Sequence, residues 1–349
     1  MVNIDFSKIL LHPKRVVEWL ENGDCYPIYL EIGPTNACNH KCIFCALDWL
    51  KKGATYIDKD IMKDNLEEIA GLGIKSLMFA GEGEPLLHKD IGYFTHVAKK
   101  AGIDTSITTN GVLLSKRKIE EILPNLSWIR FSIDSGSPEN YSLVHGTYSR
   151  DFGKLMENIK NAVDYKREHN LAVTIGTQFL VIPQNIGEAT NLARRLKEIG
   201  VDNLQIKPYS HHPSSINKLD INFSEYNELE ESLREFNSDF FKINFRRATA
   251  ERIFQGPNYD KCYGLPFITV IDSKGDVIPC NLFYNQPEFT YGNLYKNSFQ
   301  EIWEGEKRKQ VIKKLNSLGT KHCRCGCRLD PTNRDLHRIK NPEPHDNFI

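Results

Sequence analysis

From residue 27 onward the chain alternates short apolar runs with longer amphipathic stretches. The runs at 27–33, 76–80, 103–108, 128–133, 171–181 and 203–208 read as strands. Between them, apolar positions recur at helical spacing near 59–72, 89–101, 115–123, 151–169 and 185–199. Strands separated by helices of this length predict an α/β fold whose parallel sheet is joined by right-handed crossovers. Residues 1–26 read as a helical lead-in, with Ile9, Leu10, Val16, Val17 and Leu20 as its apolar positions. An acidic helix is expected over 223–239, with Phe223, Leu229, Leu233 and Phe236 covering the open side of the sheet. After about residue 245 the alternation stops. Apolar runs at 267–271 and 277–280 then flank a polar turn that contains Gly275, which predicts a β-hairpin bringing Cys280 back beside Cys262.

Composition narrows the function. A chain of 349 residues can bury a large core, in about two domains. Lys plus Arg equals Asp plus Glu at 45 each, and there is no basic tail, so no nucleic-acid partner is expected. No apolar run has the length of a membrane span, and the first residues lack a signal-peptide pattern. A cytoplasmic location is therefore expected, with no membrane partner. Nine cysteines in such a chain argue for metal or redox chemistry rather than disulfides. Three lie at 38–45 and five between 262 and 327; Cys25 stands apart and reads as a small buried hydrophobe.

Cys38, Cys42 and Cys45 sit just past the first strand, where α/β folds place their chemistry. One loop can turn these three thiols toward a single point, which suits a metal or an iron–sulfur cluster. His40 could complete a four-ligand zinc site, so zinc stays open at this point.

The spacing of these cysteines, with Phe44 before the last, resembles the radical SAM superfamily. The resemblance implies a partial (β/α)6 barrel over residues 27–245. It also implies a [4Fe–4S] cluster on Cys38, Cys42 and Cys45 whose fourth iron binds S-adenosylmethionine, and a reducing partner such as flavodoxin or ferredoxin. In that family, reductive cleavage of the sulfonium yields a 5′-deoxyadenosyl radical. Phe44 would pack near the adenine. Gly81-Glu82-Gly83-Glu84-Pro85 resembles the family's Gly-Gly-Glu-Pro motif and implies that Gly83 and Glu84 hold the methionine ammonium; no role carries over to Glu82. Thr109-Asn110-Gly111 resembles a family segment that faces the cofactor, which assigns Asn110 to it. Arg130, Ser132 and Asp134 alternate onto one strand face. Ser132-Ile133-Asp134 resembles the family's Ser-(Leu/Ile)-Asp, which implies a ribose contact for Ser132. Many relatives carry an Arg where this chain has Val144-His145-Gly146, and His145 reads as a surface histidine. Gln178 ends the fifth strand, and Lys207, Tyr209, His211 and His212 end the sixth. The last four are candidates for substrate contact or proton transfer.

The C-terminal marks are Cys262, Gly275, Cys280, Gly292-Asn293-Leu294, Ile302-Trp303 and the trio Cys323, Cys325, Cys327. They resemble the SPASM extension or its shortened Twitch form, which implies a small α+β auxiliary cluster domain over 246–349. Five thiols are too few for two further clusters, so one auxiliary [4Fe–4S] cluster is expected. Its ligands would be Cys262, Cys280, Cys323 and one of Cys325 and Cys327. The four-residue spacing of Cys323 and Cys327 allows a turn that brings both thiols to one site, which favours Cys327. Zinc is the other candidate for this site. The spare thiol could give a hydrogen atom to a substrate radical.

These readings converge on a SAM-dependent radical oxidoreductase that removes two electrons from a small molecule, a sugar or cyclitol. Lys207, Tyr209 and Cys325 are the catalytic candidates. The alternatives are a radical epimerase, a peptide maturase, or a zinc-stabilised α/β binding protein. Only 37 residues precede Cys38, fewer than the leader-binding domain of peptide-modifying relatives needs. The Pro-rich end is expected to fray, or to dock through Phe348 and Ile349. It lacks the Gly-Gly tail of the molybdenum-cofactor cyclase of the same superfamily.

Overall fold

The computed structural model describes residues 7–348 apart from Lys52 and residues 220–222. After α1 (Pro13–Asn22) come β1 (Tyr29–Ile32), α2 (Lys59–Gly71), β2 (Ser76–Phe79), α3 (Ile91–Lys100), β3 (Asp104–Thr109), α4 (Lys116–Ile122) and β4 (Trp128–Ser132). The chain continues through α5 (Pro138–His145), α6 (Arg150–Glu168), β5 (Thr174–Val181), α7 (Ala189–Ile199), β6 (Asn203–Pro208), α8 (Phe223–Leu233), β7 (Lys242–Phe245) and α9 (Arg247–Gln255). It ends with β8 (Ile268–Ile271), β9 (Asp276–Ile278), β10 (Gly292–Asn293), α10 (Phe299–Glu304), α11 (Glu306–Leu318) and α12 (Asp330–Lys340).

All ten strands form one sheet, in the order β10-β9-β8-β1-β2-β3-β4-β5-β6-β7. Every pairing from β8 through to β7 is parallel, and only the β8–β9 and β9–β10 pairs are antiparallel. The β8–β9 hairpin is the one expected near 267–280. β8 docks directly on β1, so the C-terminal part extends the barrel sheet instead of standing beside it.

Strand alternation sorts the side chains. Leu30, Ile32, Leu77, Phe79, Ile129, Phe131, Ile175, Leu204 and Ile206 face the helices and build the main core. The opposite face is polar. Residues of β1 to β6 and β8 together line one cavity of about 510 Å³, so the sheet curves around that face as a partial barrel.

Two expectations change. The apolar face of α8 packs beside α7, with Leu229 and Leu233 in the main core, and does not lie across the barrel mouth. The Tyr226 hydroxyl on α8 fastens it by donating to the Ile206 carbonyl; the Phe223 side chain lies outside the described residues. In the lead-in the buried face is Ile9, Val16 and Trp19, while Leu10, Val17 and Leu20 are exposed, because α1 meets Tyr263 and Phe267 through Trp19. At the C-terminus Phe348 is exposed, and Ile349 lies outside the described residues. No helix of the described residues is long and apolar enough to cross a membrane.

Candidate active site

The cysteine loop leaves β1 and is pinned on two sides. The Lys41 and Ile43 amides donate to the carbonyls of His145 and Val144 at the end of α5, at 3.1 and 3.0 Å. On the other side Asn110 Nδ2 donates to Asn39 Oδ1 at 2.7 Å. Inside the loop the Cys45 amide donates to the Cys42 carbonyl. Burial pushes the Cys42 thiol well up, and the nearby charges of Cys45 and Cys38 add to the shift.

His145 is buried, not a surface residue. Its Nε2 accepts the Asp134 amide at 3.1 Å, so neutral His145 carries its proton on Nδ1, which lies 3.4 Å from Cys42 Sγ. Sequence reasoning misplaced it because α5, which carries it inward, lay in an unassigned stretch. Burial raises the Asp134 carboxyl to about 7 and holds the His145 ring neutral. His40 is buried against Tyr141 and His145, and its two ring nitrogens have no hydrogen-bond partner.

The loop after β2 packs against the chain that leads into the cysteines. A Cβ on Gly83 would meet the carbonyl oxygens of Ala37 at 2.3 Å and Thr35 at 2.4 Å, so only glycine fits. The Glu84 carboxylate is buried and accepts from the Leu86 amide (3.0 Å), the Asn110 amide (2.7 Å) and the Thr109 hydroxyl (2.5 Å). It therefore ties the second and third strand ends together. Glu82, given no role by its sequence position, accepts the Ser273 amide at 2.8 Å and so holds the β8–β9 turn against the barrel.

Ser132 ends β4 on the polar face, in register with Gln178 of β5. Arg130, two residues earlier, lies over Trp128 and donates to Thr108 Oγ1 at 3.1 Å. Lys207 is on the same face of β6. Burial and the charges of Arg324, Arg246, Arg130 and Arg328 pull its ammonium well down. Tyr209 instead packs with Val144 and Ile182 beside Phe44, and its hydroxyl donates to the Asn217 carbonyl at 3.3 Å. His212 stacks on Trp49 and is buried.

Four C-terminal thiols, Cys262, Cys280, Cys323 and Cys327, lie close enough for their charges to act on one another. Burial first, then these neighbours, pushes Cys262 up to about 12 and Cys323 up to about 11. Cys325 is exposed. Two arginines of the same loop tie it to the barrel. Arg324 donates to Ser210 Oγ at 2.9 Å and to its carbonyl at 2.7 Å, and Arg328 pairs with the buried Glu31 of β1. Neither arginine announced itself in the sequence, since Arg324 sits between two cysteines and Arg328 directly follows the last one in a short loop.

The donor chemistry fits iron–sulfur clusters. Grouped buried thiols resist ionising alone, and a positive metal core removes that penalty. A single tetrahedral zinc would bring its sulfurs to about 3.8 Å from one another, from Zn–S bonds of about 2.3 Å. Among the described residues only His40, Cys42 and His145 bring three ligand atoms within 4.8 Å of one another. No all-cysteine trio of the described residues is that tight.

Known families agree with this geometry. A model of the radical SAM superfamily matches residues 32–196, and a model of the SPASM iron–sulfur cluster-binding domain matches residues 262–328. The chain belongs to the radical SAM superfamily and carries a C-terminal SPASM-type domain. Such a protein is an enzyme whose cofactors are S-adenosylmethionine, a [4Fe–4S] cluster and auxiliary iron–sulfur chemistry. It is 25% identical over 303 residues to the tungsten-containing aldehyde ferredoxin oxidoreductase cofactor-modifying protein of Pyrococcus furiosus, covering 80% of this chain and 81% of that one. Its fold matches Streptococcus suis SuiB, crystallised with the precursor peptide SuiA, at a TM-score of 0.69 and 17% identity, over 96% of this chain and 78% of that one. It also matches anSMEcpe with bound AdoMet at a TM-score of 0.61 and 18% identity, over 90% and 99% of the two chains. At these identities the two structures show a shared fold.

Proposed function

We propose that this radical SAM enzyme oxidises a small molecule by two electrons. Cys38, Cys42 and Cys45 would hold the SAM-binding cluster, and Cys262, Cys280, Cys323 and Cys327 one auxiliary [4Fe–4S] cluster. When bound, these cofactors supply a hydrogen-abstracting 5′-deoxyadenosyl radical and an acceptor for the second electron. The chain's own groups do the rest. Gly83 keeps backbone carbonyls open to the methionine end, Glu84 and Asn110 brace the cysteine loop, Ser132 offers a hydroxyl to the ribose, and Phe44 presents its ring to the adenine. The barrel would occupy residues 27–245 and the auxiliary domain 246–349, after the lead-in. The seven cysteines so assigned would need a reducing, cytoplasmic setting and an electron-donor protein as partner.

The observation that carries this reading is the four-thiol group held on the barrel by Arg324 and Arg328. It supplies the site that an electron acceptor needs. A cavity of about 510 Å³ suits a small molecule, a sugar or cyclitol skeleton included. Epimerisation would need a spare thiol facing substrate, and the exposed Cys325 is not among the residues that line this cavity. The test is product mass. An oxidised product is lighter than substrate by about two mass units, the weight of two hydrogens. Cys262→Ala should stop its formation while 5′-deoxyadenosine is still released. An isomeric product carrying solvent deuterium would overturn the oxidation reading.

A further inference from the structure

The cavity inside the barrel is far more basic than the neutral chain that contains it. Arg130, Lys207, Arg246 and Arg328 all line it, and Asp104, at its edge, is the one carboxylate among the described residues that do. Arg328 is matched by Glu31. Asp134 is the carboxylate whose charge state responds to Lys207, but its Oδ1 is taken by the Leu180 amide at 2.5 Å and its Oδ2 lies 3.5 Å from His145. No hydrogen-bond or salt-bridge acceptor stands beside Lys207 among the described residues. Arg130 has a buried Nε without a partner, although its Nη2 is held by Thr108.

Gathering like charges in a low-dielectric chamber is unfavourable unless an anion completes it. The sheet's apolar core lies on its other face. Planar guanidiniums and a flexible ammonium converging from β4, β6 and the start of α9 form the kind of donor set that grips phosphate or carboxylate. The location fits a substrate. Ser132 follows Arg130 by two residues on the same face, about 7 Å further along the strand. An anion seated on Arg130 would thus hold the rest of its molecule toward the strand ends where the cysteine loop lies.

We propose that the substrate is an anion whose phosphate or carboxylate group is held by Arg130, Lys207 and Arg246. This rests on the reading of the barrel cavity as the substrate chamber of a radical SAM enzyme. Burial first, and then four surrounding guanidiniums, pull the Lys207 ammonium down, and an added anion would favour its charged form.

The probes are inorganic phosphate, succinate and neutral myo-inositol, titrated calorimetrically into the anaerobically reconstituted enzyme, with 5′-deoxyadenosine release assayed on the same wild-type preparation. Saturable binding of phosphate alone assigns a phosphorylated substrate, and of succinate alone a carboxylated one. Lys207→Gln and Arg130→Gln should each weaken the bound anion by roughly tenfold or more, the loss expected for one charge-assisted hydrogen bond. Lys154→Gln, which removes an exposed charge on α6, should bind as the wild type does. Wild-type enzyme that releases 5′-deoxyadenosine but binds neither anion, or binds myo-inositol as tightly, overturns the anion site alone. So does unchanged affinity in both cavity variants. Anion binding without any 5′-deoxyadenosine would leave the site standing and refute the radical reading instead. Because wild-type binding already decides the matter, misfolding of a variant does not remove the test.

Discussion

Replacing Gly83 with alanine should disable the enzyme while leaving every cluster-ligating cysteine in the chain. The new Cβ would lie 2.3 Å from the Ala37 carbonyl oxygen and 2.4 Å from that of Thr35, with Asn36 carbonyl carbon at 2.9 Å. These are backbone atoms and cannot swing aside. Restoring an ordinary contact needs a movement of about 1 Å, and overpacking of this kind costs about 1–3 kcal/mol. The displaced segment runs straight into Cys38, and the Glu84 amide is tied to the same Ala37 carbonyl at 2.8 Å. A misplacement of about 1 Å at a reacting geometry can lower a rate roughly a hundredfold. Gly83→Ala is therefore expected to cut 5′-deoxyadenosine formation by about two orders of magnitude, measured by chromatography after reduction with dithionite. Gly153→Ala is the control. It lies on α6, where an added Cβ meets nothing within 4 Å, and it should be neutral or slightly stabilising. A Gly83→Ala enzyme with the wild-type rate and iron content would refute the argument that this glycine sets the cysteine loop.

Anaerobic reconstitution should give about eight irons per chain, from two four-iron clusters; about four would leave the C-terminal thiols to zinc or to nothing, and about twelve would mean a second auxiliary cluster. Cys325→Ala should keep both the iron and the oxidised product, whereas Cys327→Ala should lose the auxiliary cluster, as elemental analysis and visible absorption would report. Asp272, in the β8–β9 turn, has its carboxyl raised to about 7 by burial and by the charges of Glu82 and Asp276. Its folded form binds a proton more tightly than its unfolded form, so it opposes folding progressively as pH rises from about 4 to about 7. Thermal unfolding of Asp272→Asn should accordingly gain on the wild type across that window, and a constant difference would contradict the shift.

The alternation of strand and helix was legible because each unit buries one apolar stripe against the next. Six strand positions read from the sequence match β1 to β6 to within a few residues. β7 was missed because its four residues include polar Lys242 and Asn244, which line a second cavity with Asn203 and Gln205 of β6. The parallel docking of β8 on β1 was missed for a different reason: pairing between strands over 200 residues apart leaves no local trace. At the site, thiol spacing is a local feature and could be read. The seating of His145 against Cys42, the use of Glu82 on a distant turn and the convergence of Arg130, Lys207 and Arg246 depend on which loops meet across the barrel. The conflict between Glu82 and the family motif was a usable signal, since a charged residue at a glycine position must find a partner when buried.

The central claim is that Cys38, Cys42 and Cys45 hold the cluster at which S-adenosylmethionine is reductively cleaved. Its most direct measurement is 5′-deoxyadenosine released from S-adenosylmethionine and dithionite by the reconstituted wild type and by the variant with all three cysteines changed to alanine. The wild type should release it, and the variant should release none while keeping about four irons on its C-terminal thiols. Equal release from both proteins would contradict the account.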